Sequence, residues 1–219
     1  EVLKLFHSGH AVRSFELLLE FDHLKYLFPE AAKVISQDEQ VKQMLIIAWK
    51  STADRIRNDL RVTPAFLFAA LLWHPVNSRV HEFVEKGMPY SVAIQKSATR
   101  ILSQQSVSVS IPKRFSTTMR DIWGLQTRFH YRAGKRALSV LEHAKFRAAY
   151  DFLCIRAQAS EEAVDQNINS DCQWWTDIQK QTPEQQRNTL FETVGQSNKK
   201  KNNKRRRSST KKKINKSEP

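Results

Sequence analysis

Nine consecutive apolar residues, "AFLFAALLW" at 65–73, set the strongest constraint on the fold. A surface helix needs a polar face, and this run offers none, so it predicts a central helix buried on all sides. Thr63-Pro64 supplies its start: a threonine hydroxyl can cap, and proline is preorganised for the first helical position. His74-Pro75 is expected to end it, because proline disfavours the α conformation in the residue before it. Helical spacing recurs elsewhere. Val12, Phe15, Leu18, Leu19 and Phe21 predict a helix within 11–28, and Val80, Phe83 and Val84 predict one over 78–86 with Gly87 as its stop. A third starts at Pro89, carries Ile94, Ala98, Ile101 and Leu102, and runs to 104. "TPEQ" (182–185) has capping-box spacing, and Gly195 is expected to close the helix it opens. "SVSVSI" (106–111) comes nearest to strand alternation and is read as a short connector. Only five glycines in 219 residues argue against a turn-rich β protein. The expected class is all-α: a multi-helix body followed by a disordered basic tail.

Charge is divided unevenly along the chain. Of the 36 Lys and Arg, eleven lie in residues 199–219 beside one acid, whereas residues 1–198 hold 25 bases and 21 acids. A segment with almost no apolar surface cannot bury any, so the tail is expected to stay disordered, with a polyanion as its natural partner. The expected division is a helical body over 1–110, a second helical region over 111–195, and the polybasic tail over 196–219. No apolar stretch approaches the roughly 20 residues that span a bilayer. Cys154 and Cys172 are read as separate thiols in a reducing compartment rather than as a disulfide framework. The chain opens on Glu1 with an amphipathic pattern already under way, which suggests a start inside a larger protein or a disrupted reading frame.

Catalytic signatures are missing from the sequence. It has no glycine-rich phosphate loop of either common spacing and no Asp-x-Asp pair to clamp two metal ions. His7 and His10 stand three apart, but Gly9 interrupts them and no Cys or acid completes a metal set. Cys154 sits among Phe152, Leu153 and Ile155, as a buried structural thiol would. The richest functional candidate is "IPKRFSTTMRDIWGLQTRFHYRAGKR" (111–136), with seven bases and one acid, Asp121. Phe115, Met119, Ile122, Trp123 and Phe129 give one helical stripe. Lys113, Arg114, Arg120, Arg128, Arg132, Lys135 and Arg136 fall mostly outside it, where they would attract a phosphate backbone. Lys145 and Arg147 extend this face beside the stripe Phe146, Ala149 and Leu153. The tail adds Lys199, Lys200, Lys201, Lys204, Arg205, Arg206, Arg207, Lys211, Lys212 and Lys213. The bland alternative for 111–136 is a solvated helix face. Trp123 reads as a core anchor, and in Trp174-Trp175 one ring is expected to pack while the other stays partly exposed.

Three long segments carry a resemblance: "ADRIRNDLRVTPAFLFAALLW" (53–73), "IPKRFSTTMRDIWGLQ" (111–126) and "GKRALSVLEHAKFRAAYDFL" (134–153). Together with "LFP" (27–29), "WW" (174–175) and the terminal basic run, they resemble the body of bacterial poly(A) polymerases. That family shares a nucleotidyltransferase superfamily with tRNA CCA-adding enzymes. The resemblance implies the end of a helical neck, a helical body and a C-terminal RNA-binding region. It implies an intact enzyme that uses ATP and Mg²⁺ to add AMP to RNA 3′ ends, marking bacterial RNA for decay in the cytoplasm. The family's Asp-x-Asp ligands and its adenine-selecting Glu-Asp-x-x-Arg motif do not occur here, so no catalytic residue is carried over and the chain itself is assigned no cofactor. The implied partners are single-stranded RNA, its 3′ ends, and a catalytic head supplied in cis or in trans. A flexible cationic arm suits an enzyme that accepts many RNA ends, whereas tRNA offers a folded shape to grip.

Two other readings stay open on sequence. One is a stand-alone RNA-binding or adaptor module from a split or degraded gene. The other is a helical protein whose tail engages ribosomes or an acidic partner; charge alone also permits nuclear targeting.

Overall fold

The computed structural model describes residues 2–7, 10–60, 62–159 and 166–191. Among them the regular structure is entirely helical: α1 (Val2–His7), α2 (Ala11–Glu20), α3 (Leu24–Leu27), α4 (Pro29–Ile35), α5 (Glu39–Arg57), α6 (Pro64–Leu71) and α7 (Trp73–Glu85). These are followed by α8 (Tyr90–Ser108), α9 (Lys113–Gln126), α10 (Gly134–Leu141), α11 (Phe146–Ala159), α12 (Gln166–Gln179) and a last helix, α13, over 183–191. The all-α expectation holds. No described helix is long and apolar enough to cross a membrane. The polybasic tail and Gly195 lie outside the described residues.

The apolar run forms the centre. α6 packs against α1, α5, α7, α9 and α11. Ala65, Leu67, Phe68, Ala69, Ala70 and Leu71 are all buried, and each large side chain among them contributes about 2 kcal/mol of transfer free energy. Thr63 Oγ1 accepts from the Phe66 amide at 3.3 Å, with Pro64 opening the helix as expected. At the other end the break falls earlier than His74-Pro75. α6 stops at Leu71, and Pro75 sits in the first turn of α7, where its missing N–H leaves the Leu71 carbonyl without that helical donor. The Ala69 carbonyl, also near the helix end, accepts instead from the Trp123 indole at 3.0 Å. Trp123 is fully buried and acts as the expected anchor of α9 on α6.

One C-terminal device explains how so few glycines suffice. After α7, Gly87 takes φ +83°; its amide reaches the Val84 carbonyl at 2.8 Å and the Met88 amide reaches Phe83 at 3.0 Å. This is the Schellman arrangement predicted at Gly87. The same pair of bonds closes α2 at Asp22 (φ 53°) and α5 at Asp59 (φ 54°), where a short polar side chain tolerates the left-handed conformation. The helix expected across 11–28 is therefore cut at Asp22. Ala11, Phe15 and Leu18 form its buried face, while Phe21 is 60% exposed. "SVSVSI" is also not simply a connector: α8 continues to Ser108, with Ser106 Oγ donating to the Ser103 carbonyl at 2.7 Å.

The later helices close around an aromatic trio. The rings of Phe129, Phe146 and Trp175 lie 5.5–6.2 Å apart, and the Trp175 indole donates to the Phe129 carbonyl at 2.8 Å. Trp175 is buried and Trp174 half-buried, the division expected of the pair. The "TPEQ" capping box forms in both directions: Gln185 Oε1 accepts from the Thr182 amide at 3.0 Å, and Thr182 Oγ1 from the Gln185 amide at 3.4 Å. Cys154 and Cys172 correct the sequence reading. They are joined in a disulfide with their Cα atoms 5.3 Å apart, because α11 and α12 pack side by side. One connected hydrophobic cluster runs from Phe6 to Leu190.

Candidate nucleic-acid interface

The basic segment folds as α9, a turn and α10, with Lys145 and Arg147 at the start of α11. Their apolar neighbours fix which way the charges face. Met119, Ile122 and Trp123 bury one side of α9, so Lys113 and Arg114 are left exposed at its first turn. The Arg114 guanidinium stands 4.7 Å over the Phe115 ring, which itself packs on Phe68 of α6 at 6.4 Å. Stacking on a ring holds a guanidinium in place while leaving its donors for another acceptor.

Other members of the segment are half-buried and bonded to neighbouring elements. Arg120 donates to Thr99 Oγ1 of α8 at 2.9 Å and to the Gln95 carbonyl at 3.4 Å. Arg128 donates to Ser139 Oγ of α10 at 2.9 Å. Arg132 reaches α12, with Nε 2.7 Å from Asp171 Oδ1 and a terminal nitrogen 2.7 Å from Ser170 Oγ. Its positive charge is balanced inside the protein. Lys135 and Arg136 are exposed on the first turn of α10, Arg136 over the Tyr131 ring at 4.9 Å.

At the start of α11, Arg147 and a residue the sequence reading passed over meet on one carboxylate. Arg55 of α5 donates to Asp151 Oδ2 at 3.0 Å, and Arg147 Nε lies 3.1 Å from Asp151 Oδ1. Burial pushes the Asp151 carboxyl above its ordinary value, while the attraction of Arg147 and Arg55 acts the other way. Arg55 and Asp151 are 96 residues apart in sequence, so no local pattern links them.

The structure thus splits the predicted face three ways. Arg114, Lys145 and Arg147 gather with Arg55 around a cleft of about 430 Å³. Arg120 and Arg128 share a wider one, about 880 Å³, with Asp121, Tyr131 and two histidines, His130 and His143. Lys135 faces a third hollow with Glu142 and Arg187. Lys199, Lys200, Lys201, Lys204, Arg205, Arg206, Arg207, Lys211, Lys212 and Lys213 lie outside the described residues. No group of three His, Cys, Asp or Glu is gathered as a metal site among the described residues. No step of nucleotidyl transfer is assigned to these side chains.

Comparison with known proteins identifies the family. The family described as "Polymerase A arginine-rich C-terminus" matches residues 86–212, more than half of the chain, and "Probable RNA and SrmB- binding site of polymerase A" matches residues 1–35. Poly(A) polymerase I of Escherichia coli O157:H7 is 38% identical over 195 residues, covering 88% of this chain and 41% of that protein. The Salmonella typhi enzyme is 37% identical with the same coverage, and that of Haemophilus influenzae is 31% identical over 196 residues, covering 88% and 42%. The chain spans about two fifths of the length of these curated relatives. It belongs to the bacterial poly(A) polymerase family, corresponding to the arginine-rich C-terminal part of those enzymes.

Proposed function

We propose that this chain is the RNA-holding part of a poly(A) polymerase and binds single-stranded RNA without catalysing nucleotide addition. The observation that carries this reading is the coincidence of the arginine-rich family match with the exposed bases at the amino ends of α9, α10 and α11. In the intact enzyme, a head in cis or in trans would transfer AMP from ATP with Mg²⁺ to an RNA 3′ end. This body would guide the strand toward it, and the polybasic tail would capture RNA through its phosphates. The setting we infer is the bacterial cytoplasm, since the relatives are bacterial enzymes.

The test is incubation of the chain with labelled single-stranded RNA, ATP and Mg²⁺. RNA should be retained on a native gel and not lengthened. If about eight phosphates are neutralised, log affinity should fall with log salt at a slope of roughly −5 to −6. A slope near zero, or any lengthening of the RNA, rejects the reading. A second reading, docking of a protein on the first helices, is favoured by the exposure of Phe21 (60%) and Tyr26 (68%) within the region matched at 1–35. Substituting both with Ser should abolish it without changing RNA retention.

A further inference from the structure

The amino ends of α6, α9 and α11 meet at the cleft that holds Arg55, Arg114, Lys145 and Arg147. First-turn residues of all three helices line it, among them Phe66, Arg114 and Arg147. Helix amino ends carry a partial positive charge that favours an anion, although at α6 Pro64 has no N–H and Thr63 already caps the Phe66 amide. Side-chain charge adds to this. Four bases face one carboxylate, Asp151, and that carboxylate is already divided between Arg55 and Arg147. Arg114 and Lys145 have no acidic partner among the described residues, although both border the opening. The remaining wall is mixed: Phe115 and Phe66, the latter edge-on to Phe152 at 6.3 Å, give it an apolar part, and Ser51, Thr52, Thr63 and Thr118 add hydroxyl groups. A space of about 430 Å³ suits one nucleotide rather than a folded partner.

We propose that this cleft seats a single nucleotide of an RNA strand, its phosphate on Arg114 and Lys145 and its base against Phe115 and Phe66. The proposal rests on the RNA-holding function and adds to it a defined seat. Asp151 positions two of the guanidiniums, leaving the other two cations to meet the phosphate. The wider cleft at Arg120 and Arg128 is a weaker candidate, because both arginines already donate to protein oxygens and Asp121 opposes an anion there.

The test uses the full chain and a short oligoadenylate carrying photoreactive 8-azidoadenine. Adducts are mapped by mass spectrometry, and affinity is measured across salt concentrations. In the wild type, adducts should fall on the peptides around Phe66 or Phe115. In the double variant Arg114→Gln/Lys145→Gln those adducts should disappear, and the salt slope should become shallower by roughly 0.7 to 1.4, the release expected for one or two phosphates. Phe115→Leu should weaken binding roughly fivefold with the slope unchanged, since stacking is not ionic. Lys145→Arg should retain the adducts, and circular dichroism should show the same melting for the double variant as for wild type.

Wild-type affinity and slope in the double variant, with adducts only elsewhere, overturn the seat and leave the RNA-holding function standing. A wild-type chain that binds no RNA overturns both. Labelling of the cleft by free 8-azido-AMP but not by the oligoadenylate also overturns the proposal, in favour of a site for a free nucleotide.

Discussion

Bases a short way apart along the chain have opposite fates. At the amino ends of α9 and α11, Arg114 and Lys145 border a cleft with no carboxylate of their own. At the turn after α9, Arg128 and Arg132 are bound by Ser139, Ser170 and Asp171 of the protein. Both stretches look equally cationic along the chain. A guanidinium's charge is cancelled only by a countercharge, as Asp171 does for Arg132, while a neutral acceptor such as Ser139 takes up donors of Arg128 but leaves its field, so a count of bases overstates what a phosphate can engage at the turn. His74 is a third case. It is packed against Met44 and near Arg156, and it avoids the cost of buried charge by staying neutral: burial, then Arg156, pushes its pKa down to about 4.

The largest effect that could break this comparison is at Arg132. Arg132→Ala leaves Asp171, whose side chain is only 12% exposed, without its countercharge. Urea denaturation should show a loss of about 3 kcal/mol, the scale of breaking a largely buried pair. RNA affinity of the folded variant should stay within roughly twofold, because Asp171 already balances that charge at short range. A stable variant with weakened RNA binding would place Arg132 with Arg114 after all.

The pH dependence of His74 comes next. Its folded pKa of about 4 lies below the unfolded value near 6.5, so the unfolded chain binds the extra proton first. Its contribution therefore makes stability rise with pH from about 4 to 6.5 and flatten above that window. The full shift corresponds to about 3 kcal/mol, and partial solvent access reduces this to about 2 kcal/mol. His74→Gln should flatten this part of the stability curve; an unchanged slope would show that His74 carries its charge inside. The smallest effect sharpens the comparison. Arg120→Ala removes exposed bonds to Thr99 and Gln95 and should cost about 0.5 kcal/mol in the same denaturation.

Much of the fold could be read from the sequence because its signals are local. The Thr63 cap, the apolar length of α6, the Gly87 stop and the Thr182–Gln185 box each lie within a few residues. The errors arise where tertiary structure decides. Pro75 marks a helix start rather than an end because α7 resumes at once, and Asp22 ends α2 in a role usually given to glycine. The disulfide depends on α11 lying beside α12, which spacing along the chain does not reveal. The site was half legible for the same reason. Residue type identifies the bases, but Asp171, Ser139 and Thr99, which decide what several of those bases can do, come from other helices, and Arg55 enters from α5 to share Asp151 with Arg147.

The Cys154–Cys172 bridge makes part of the backbone dispensable for holding the molecule together. A protease that cut anywhere between those two cysteines would leave both fragments travelling as one species until a thiol was added. α12 is in that sense riveted to α11, and the C-terminal segment cannot be shed by a single nick in the stretch that joins them.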